Sequence, residues 1–111
     1  MYSKEYLKGT LKTLLLSLLS EKGDMYGYEI TQTVKVRSEN SIELTEGALY
    51  PALHKLEANE YVESYTKKID GRNRKYYKLT KKGSDEAKKQ KAGWTQFSNV
   101  MEAILNPMQY A

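Results

Sequence analysis

The sequence predicts a mainly α fold with one small β-hairpin, and three observations predict it. Residues Thr45 to Glu60 read as a helix, with Leu49, Leu53 and Leu56 on one face at helical spacing. The next segment alternates like a strand through Tyr61-Val62-Glu63-Ser64-Tyr65-Thr66-Lys67, turns at Asp70-Gly71 and returns through Arg74-Lys75-Tyr76-Tyr77-Lys78-Leu79. From Lys67 to Lys82 there are eight Lys or Arg residues against one acid, Asp70. A helix whose outer face is small and cationic, set beside a basic hairpin, is the arrangement that a winged helix-turn-helix offers to DNA.

The elements follow in order. The first helix runs from Ser3 to Glu21 and ends at Lys22-Gly23-Asp24, where glycine supplies the C-terminal turn. Its leucines Leu7, Leu11, Leu14, Leu15, Leu18 and Leu19 fall on two adjoining stripes, with Leu16 outside both. One stripe suffices for the domain's own core, so the other predicts a second chain. The second helix spans about 26–37, with Ile30 and Val34 pointing inward, and the polar run Ser38 to Glu43 is a loop. Thr45 is the expected N-cap of the third helix. Pro51 lies inside that helix, and the carbonyl it would clash with belongs to Gly47, the most forgiving backbone available. A loosened first turn is therefore expected, and not a broken helix. The hairpin covers about 61–69 and 73–79, with Asp70 to Asn73 as its tip. A last helix begins at Thr80 or Ser84 and runs to about Asn106, where Pro107 stops it. Its Trp94, Phe97, Met101, Ile104 and Met108 are spaced 3, 4, 3, 4 and extend back to Ala87, a heptad seam too short to stand alone.

Composition narrows the function classes. At 111 residues there is room for one modest core. The chain has no Cys, which excludes disulfides and thiolate metal sites and suits the cytoplasm. The apolar run Leu14 to Leu19 is too short to span a bilayer, so no membrane partner is expected. The net charge is +4, and the clustering of the cations carries more weight than their sum. His54 is the only histidine, and no carboxylate pair has ligand or acid–base spacing. No metal, cofactor or catalytic residue is expected, and the chain is read as a non-enzyme.

The expected DNA-binding residues are Thr45, Gly47, Ala48, Tyr50, Pro51, His54 and Lys55 of the third helix, with Arg72, Asn73, Arg74 and Lys75 of the hairpin. Gly47, Ala48 and Pro51 leave nothing bulky, so the helix can sink into a major groove with Tyr50, His54 and Lys55 reaching out. Lys67, Lys68, Arg72, Arg74 and Lys75 converge on the hairpin tip, where they suit phosphates or a narrow minor groove. Tyr61, Tyr65, Tyr76 and Tyr77 are expected to pack the sheet on the helices. A different class of function fits the same fold: a winged-helix module used for protein contacts, without an operator of its own. The basic tip argues against it.

Three stretches carry a family resemblance: GYEI (Gly27 to Ile30), GALYPALHKLE (Gly47 to Glu57) and GRNRKYYKLTKKG (Gly71 to Gly83). In this order and spacing they resemble the PadR family of bacterial transcriptional regulators over nearly the whole chain. The resemblance implies a winged helix-turn-helix over residues 1–80 and a C-terminal dimerisation helix over 81–111. It also implies a homodimer, in which each last helix packs on the partner's first helix, and a repressor of its own or neighbouring genes acting at a pseudo-palindromic operator. A single short C-terminal helix places the chain with the smaller subfamily, similar to its multidrug-sensing members. In those relatives a tryptophan on the last helix stacks on planar drugs between the subunits, and Ala92-Gly93-Trp94-Thr95-Gln96-Phe97 resembles that region. Trp94 then has two readings, a filler of the dimer interface or a platform for an aromatic effector. The second reading brings it together with Phe97, Met101, Leu11, Leu14, Leu15 and Leu18.

Overall fold

A computed structural model of the chain describes residues 4–109. The expected helix start at Ser3, and the ends of the two expected domains at 1–3 and 110–111, lie outside the described residues. The elements are α1 (Lys4–Lys22), β1 (Met25–Tyr26), α2 (Gly27–Arg37), α3 (Glu46–Ala58), β2 (Val62–Ile69), β3 (Arg72–Leu79) and α4 (Lys81–Leu105), followed by a 3-10 turn at Pro107–Gln109. The fold is mainly helical with a small three-stranded antiparallel sheet, the winged-helix class that the sequence predicts.

α1 is the central post of the fold. It ends where Gly23, at φ 84°, donates its N–H to the Leu19 carbonyl at 3.0 Å. Leu15, Leu16, Leu18 and Leu19 are all buried. Leu16 thus corrects the two-stripe reading: it is fully enclosed, because α3, β3 and α4 all pack around α1 and a third side of the helix is covered. Leu11 and Leu15 belong to the domain's own core, and Leu14 is only half-buried. Two shallow hollows flank α1. One of about 500 Å³ is bordered by Leu14, Leu18, Val34, Ile42 and Lys91. The other, about 600 Å³, lies between Leu7, Leu11, Ile42 and Leu44 and the start of α3.

β1 carries no signal in the sequence. Its two residues pair with β3, Met25 opposite Tyr77 and Tyr26 opposite Tyr76, giving the strand order β1-β3-β2. Two residues are too few for alternation to show, and Met25 enters the core while Tyr26 caps α2. Ile30 and Val34 of α2 are buried as expected. α3 is continuous from Glu46 to Ala58 with Pro51 inside it. Its buried side, Leu49, Leu53 and Leu56, closes the core against α1 and the sheet.

The hairpin turns on Asp70 and Gly71, both at positive φ (50° and 78°), which is the geometry of a two-residue turn between tightly paired strands. α4 is capped by Thr80, whose Oγ1 accepts from the Gly83 N–H at 3.0 Å. The first turns of α4 lie on α1: Lys12 pairs with Glu86 at 2.7 Å, Thr13 donates to Gln90 at 3.1 Å, and Ala87 is buried. Beyond Gln90 the helix is exposed on nearly all sides. Met108 of the expected seam falls in the 3-10 turn, outside α4, because Pro107 ends the helix first. No helix among the described residues is long and apolar enough to cross a membrane.

Candidate nucleic-acid interface

The exposed face of α3 gathers most of the helix residues expected to meet DNA. With Leu49, Leu53 and Leu56 turned inward, Gly47, Ala48, Pro51, His54 and Lys55 all fall on the opposite side and are exposed. A side chain added at Gly47 would meet nothing nearer than Thr45 Oγ1 at 3.9 Å, so this face is open as well as smooth. Thr45 is engaged in capping: its Oγ1 accepts from the Ala48 N–H at 3.2 Å. Tyr50 stands differently from its sequence reading. It is half-buried, with its hydroxyl pressed against Gly27, where an added Cβ would fall 2.3 Å from the phenolic oxygen. Its position one step from Leu49 turns the ring toward α2, and it works as a spacer between the two helices.

The wing is held to α3 by Ser64, which donates to Glu57 Oε2 at 2.6 Å. Along it the cations do not share one face. The register pairs Ile69 with Arg72, Lys67 with Arg74 and Tyr65 with Tyr76, so Arg72, Arg74 and Lys67 share the side away from the core. Lys68, Asn73 and Lys75 share the other, on which Tyr77 and Val62 are buried. The tip is basic on both faces because a strand turns successive side chains opposite ways.

The tyrosines divide by the same rule. Tyr77 is buried in the core, where burial pushes its phenol pKa up. Tyr65 and Tyr76, expected to pack inward, stand on the outer face instead, stacked at 5.6 Å with planes 11° apart. Tyr26 meets Tyr76 edge-on at 5.4 Å. The Tyr65 hydroxyl donates to Asp24 Oδ2 at 2.6 Å, and this bond to a carboxylate pushes the phenol up to about 12.

The candidate effector residues are not brought together within one chain. Leu11, Leu15 and Leu18 are buried, and the hollow beside Leu14 and Leu18 is bordered by Lys91, one turn before Trp94. Trp94 and Phe97 are 46% and 58% exposed, with ring centres 6.4 Å apart, and Met101 is half-buried. Among the described residues no group of three His, Cys, Asp or Glu side chains is placed to hold a metal ion.

An open helix face beside a cationic wing suits duplex DNA, and the fold that carries it is shared with known proteins. Residues 15–89 match the model of the PadR-like family of transcriptional regulators. The chain belongs to that family. Among solved structures it is similar to a transcriptional regulator from Clostridium thermocellum, with a TM-score of 0.80 and 30% identity over 92% of this chain and 96% of that one. It is also similar to a PadR family regulator from Clostridium difficile, with a TM-score of 0.73 and 37% identity over 88% of this chain and all of that one. A transcriptional regulator of Mycobacterium tuberculosis is 29% identical over 80 residues, 72% of this chain and 71% of that protein. As a PadR-like winged-helix protein, the chain is a DNA-binding transcriptional regulator. Sequence reasoning missed the ring contacts that Tyr26 makes with Tyr76 and Arg74 beside the wing, because a two-residue strand gives no periodic signal.

Proposed function

We propose that the protein is a cytoplasmic, dimeric repressor that binds a pseudo-palindromic operator in its own or a neighbouring promoter and is released by a small aromatic effector. The observation that carries the DNA half is the α3 face, where Gly47, Ala48, Pro51, His54 and Lys55 are exposed with no carboxylate among them, next to the cationic β2–β3 ribbon. In this reading residues 1–80 form the DNA-binding unit and 81–111 the dimerisation helix. His54 and Lys55 reach base edges, while Arg72, Arg74 and Lys75 hold phosphates. Tyr50 acts there through the spacing of α2 and α3.

The dimer half is supported by the seam. Trp94, Phe97, Val100, Ile104 and Leu105 are each 46% exposed or more, an apolar strip too long to be left to water. A second copy of α4, together with the partner's α1, covers such a strip and sets two recognition helices about 34 Å apart, one DNA turn. Trp94, Phe97 and Met101 then lie near the two-fold with Leu14 and the rim of Leu18. Rings and a flexible thioether suit a planar apolar ligand.

The experiment is a salt titration of duplex binding. Each phosphate contact contributes about 0.9 to the slope of log K against log salt, so losing Arg72 and Arg74 from both subunits flattens it by about 3.6. An unchanged slope at wild-type affinity removes the wing from the interface.

A further inference from the structure

Of the two wing arginines, Arg72 is exposed and Arg74 is half-buried. The Arg74 guanidinium carbon lies 4.7 Å from the centre of the Tyr26 ring, and its Nε is buried with no hydrogen-bond partner among the described residues. The register explains the contact. Tyr26 pairs with Tyr76 and Arg74 is two residues before Tyr76 on the same strand, so Arg74 lies diagonally across from Tyr26 on the outer face of the sheet. Tyr26 is itself fixed. Its N–H donates to Glu29 Oε1 at 3.1 Å at the first turn of α2, and its ring meets Tyr76 edge-on. The row continues to Tyr65, which is tied to Asp24 at 2.6 Å, and Lys67 Nζ lies 5.8 Å from the Tyr76 ring centre. Three rings from three strands thus form one platform, anchored to the turn between α1 and β1.

We propose that Tyr26 is a positioning residue for DNA binding. Its ring holds the Arg74 guanidinium in place before DNA arrives, beside the N-terminus of α2 and away from the wing tip. This rests on the DNA-binding reading above and assigns its two arginines different parts. A free arginine must give up most of its rotamer freedom to grip a phosphate, whereas a planar guanidinium already stacked on a ring gives up little. The N–H groups on the far edge of Arg74 then meet the DNA backbone where the first helix of the helix-turn-helix crosses it. Arg72 finds its phosphate only after docking.

The test uses the full chain and a mixed-sequence DNA duplex, with binding followed by fluorescence anisotropy over a range of salt. Tyr26→Phe keeps the ring and should bind like the wild type. Tyr26→Leu should weaken binding about 2- to 10-fold per subunit, the cost of fixing one long side chain, with the salt slope unchanged because no charge is lost. Arg74→Ala should flatten the slope by about 1.8 in the dimer, and in that background Tyr26→Leu should have no further effect. Arg74→Lys keeps the charge without the planar stack, so it should weaken binding at an unchanged slope. This variant carries the test even where Tyr26→Leu disturbs β1.

Three results would overturn the proposal. In the first, Tyr26→Leu and Arg74→Lys both bind as the wild type does. In the second, the Tyr26→Leu effect persists in full without Arg74, so that the ring acts by itself. In the third, the slope responds to Arg72→Ala and not to Arg74→Ala, which leaves the DNA-binding reading intact and refutes the pairing with Tyr26. A wild-type chain that ignores duplex DNA at low salt would refute both.

Discussion

Gly83→Ala should damage this fold more than any other single added methyl group on α4. A Cβ at Gly83 would fall 1.8 Å from the Tyr61 carbonyl oxygen and 2.8 Å from its carbon. A carbon and an oxygen in contact stay about 3.3 Å apart, so the start of α4 must move away by roughly 1.5 Å. Tyr61 O and its neighbour are the acceptors that anchor this corner: the Thr80 N–H reaches Tyr61 O at 3.1 Å, and Thr80 Oγ1 reaches Glu60 O at 2.7 Å. Losing two such bonds at about 1 kcal/mol each, and adding about 1–3 kcal/mol of overpacking, gives roughly 3–5 kcal/mol. That is a large share of the about 5–15 kcal/mol that holds a typical domain together. Urea unfolding followed by circular dichroism at one fixed protein concentration measures it. Gly93→Ala, ten residues along the same helix, is the control. Nothing of its own chain lies within 4 Å of its added methyl among the described residues, so apart from contacts across the proposed dimer the variant should gain about 0.5–1 kcal/mol from helix propensity. A Gly83→Ala protein within about 1 kcal/mol of the wild type would refute the close approach of α4 to Tyr61.

Tyr65 should titrate near pH 12, where its hydrogen bond to Asp24 holds it above the ordinary tyrosine value of 10.0. Because the folded value is the raised one, its contribution to stability is whole below about pH 10 and is lost as pH climbs through the folded value. Tyrosinate absorbance checks this: Tyr65→Phe should remove a phase near that pH, Asp24→Asn should move it down, and a phase indifferent to both would contradict the bond. Replacing Met101 and Ile104 with Asp should convert the proposed dimer into aggregated or unfolded protein on size-exclusion chromatography, and a native sequence that stays a well-folded monomer at micromolar concentration would contradict the seam's role. Trp94 is the sole tryptophan, so planar cationic dyes or phenolic compounds should quench its emission, and the Trp94→Ala dimer should bind DNA but ignore them. Emission untouched by a broad panel would remove the effector while leaving the DNA-binding reading standing.

What was legible in the sequence follows from the range of each signal. Helix periodicity located α3 and its inward Leu49, Leu53 and Leu56, because three leucines repeat on one short face. The Asp70-Gly71 pair located the turn, because both residues tolerate the positive φ that a two-residue hairpin needs. Leu16 was misjudged because stripe counting assumes one or two neighbours, whereas α1 is enclosed by three elements drawn from distant parts of the chain. Tyr65 and Tyr76 were misjudged for a similar reason. The hairpin register pairs them on one face but alternation does not say which face, and the burial of Tyr77 decides it. Nor can a sequence show that Tyr50 spends its ring on Gly27 or that Arg74 lies on Tyr26. Both contacts join segments more than twenty residues apart, where composition and spacing carry no information.

The two ends of α4 have opposite characters, and the contrast bears on how a signal could cross this small fold. Its start is fastened along the face that carries the buried Gly83 and Ala87. Gly83 abuts Tyr61 O, and Lys82 donates to Asn59 O at 2.8 Å. The ammonium groups of Lys82 and Lys12 both lie 4.8 Å from the Tyr61 ring centre, and Lys12 also grips Glu86 at 2.7 Å. Tyr61 joins the end of α3 to the start of β2, so the reading helix, the wing and α4 meet at one residue. The far end of α4 is largely exposed, with Trp94, Phe97 and Ile104 open to solvent. A helix of 25 residues is a stiff rod of about 37 Å, so a shift imposed at its far end is passed to its root with little loss. Close-packed contacts at that root answer by moving together and not by yielding one at a time. In the proposed dimer a ligand at Trp94 therefore needs no separate hinge to reach the DNA. It changes affinity by as much as its own binding differs between the two spacings of α3, and the joint at Tyr61 is what makes those spacings depend on α4.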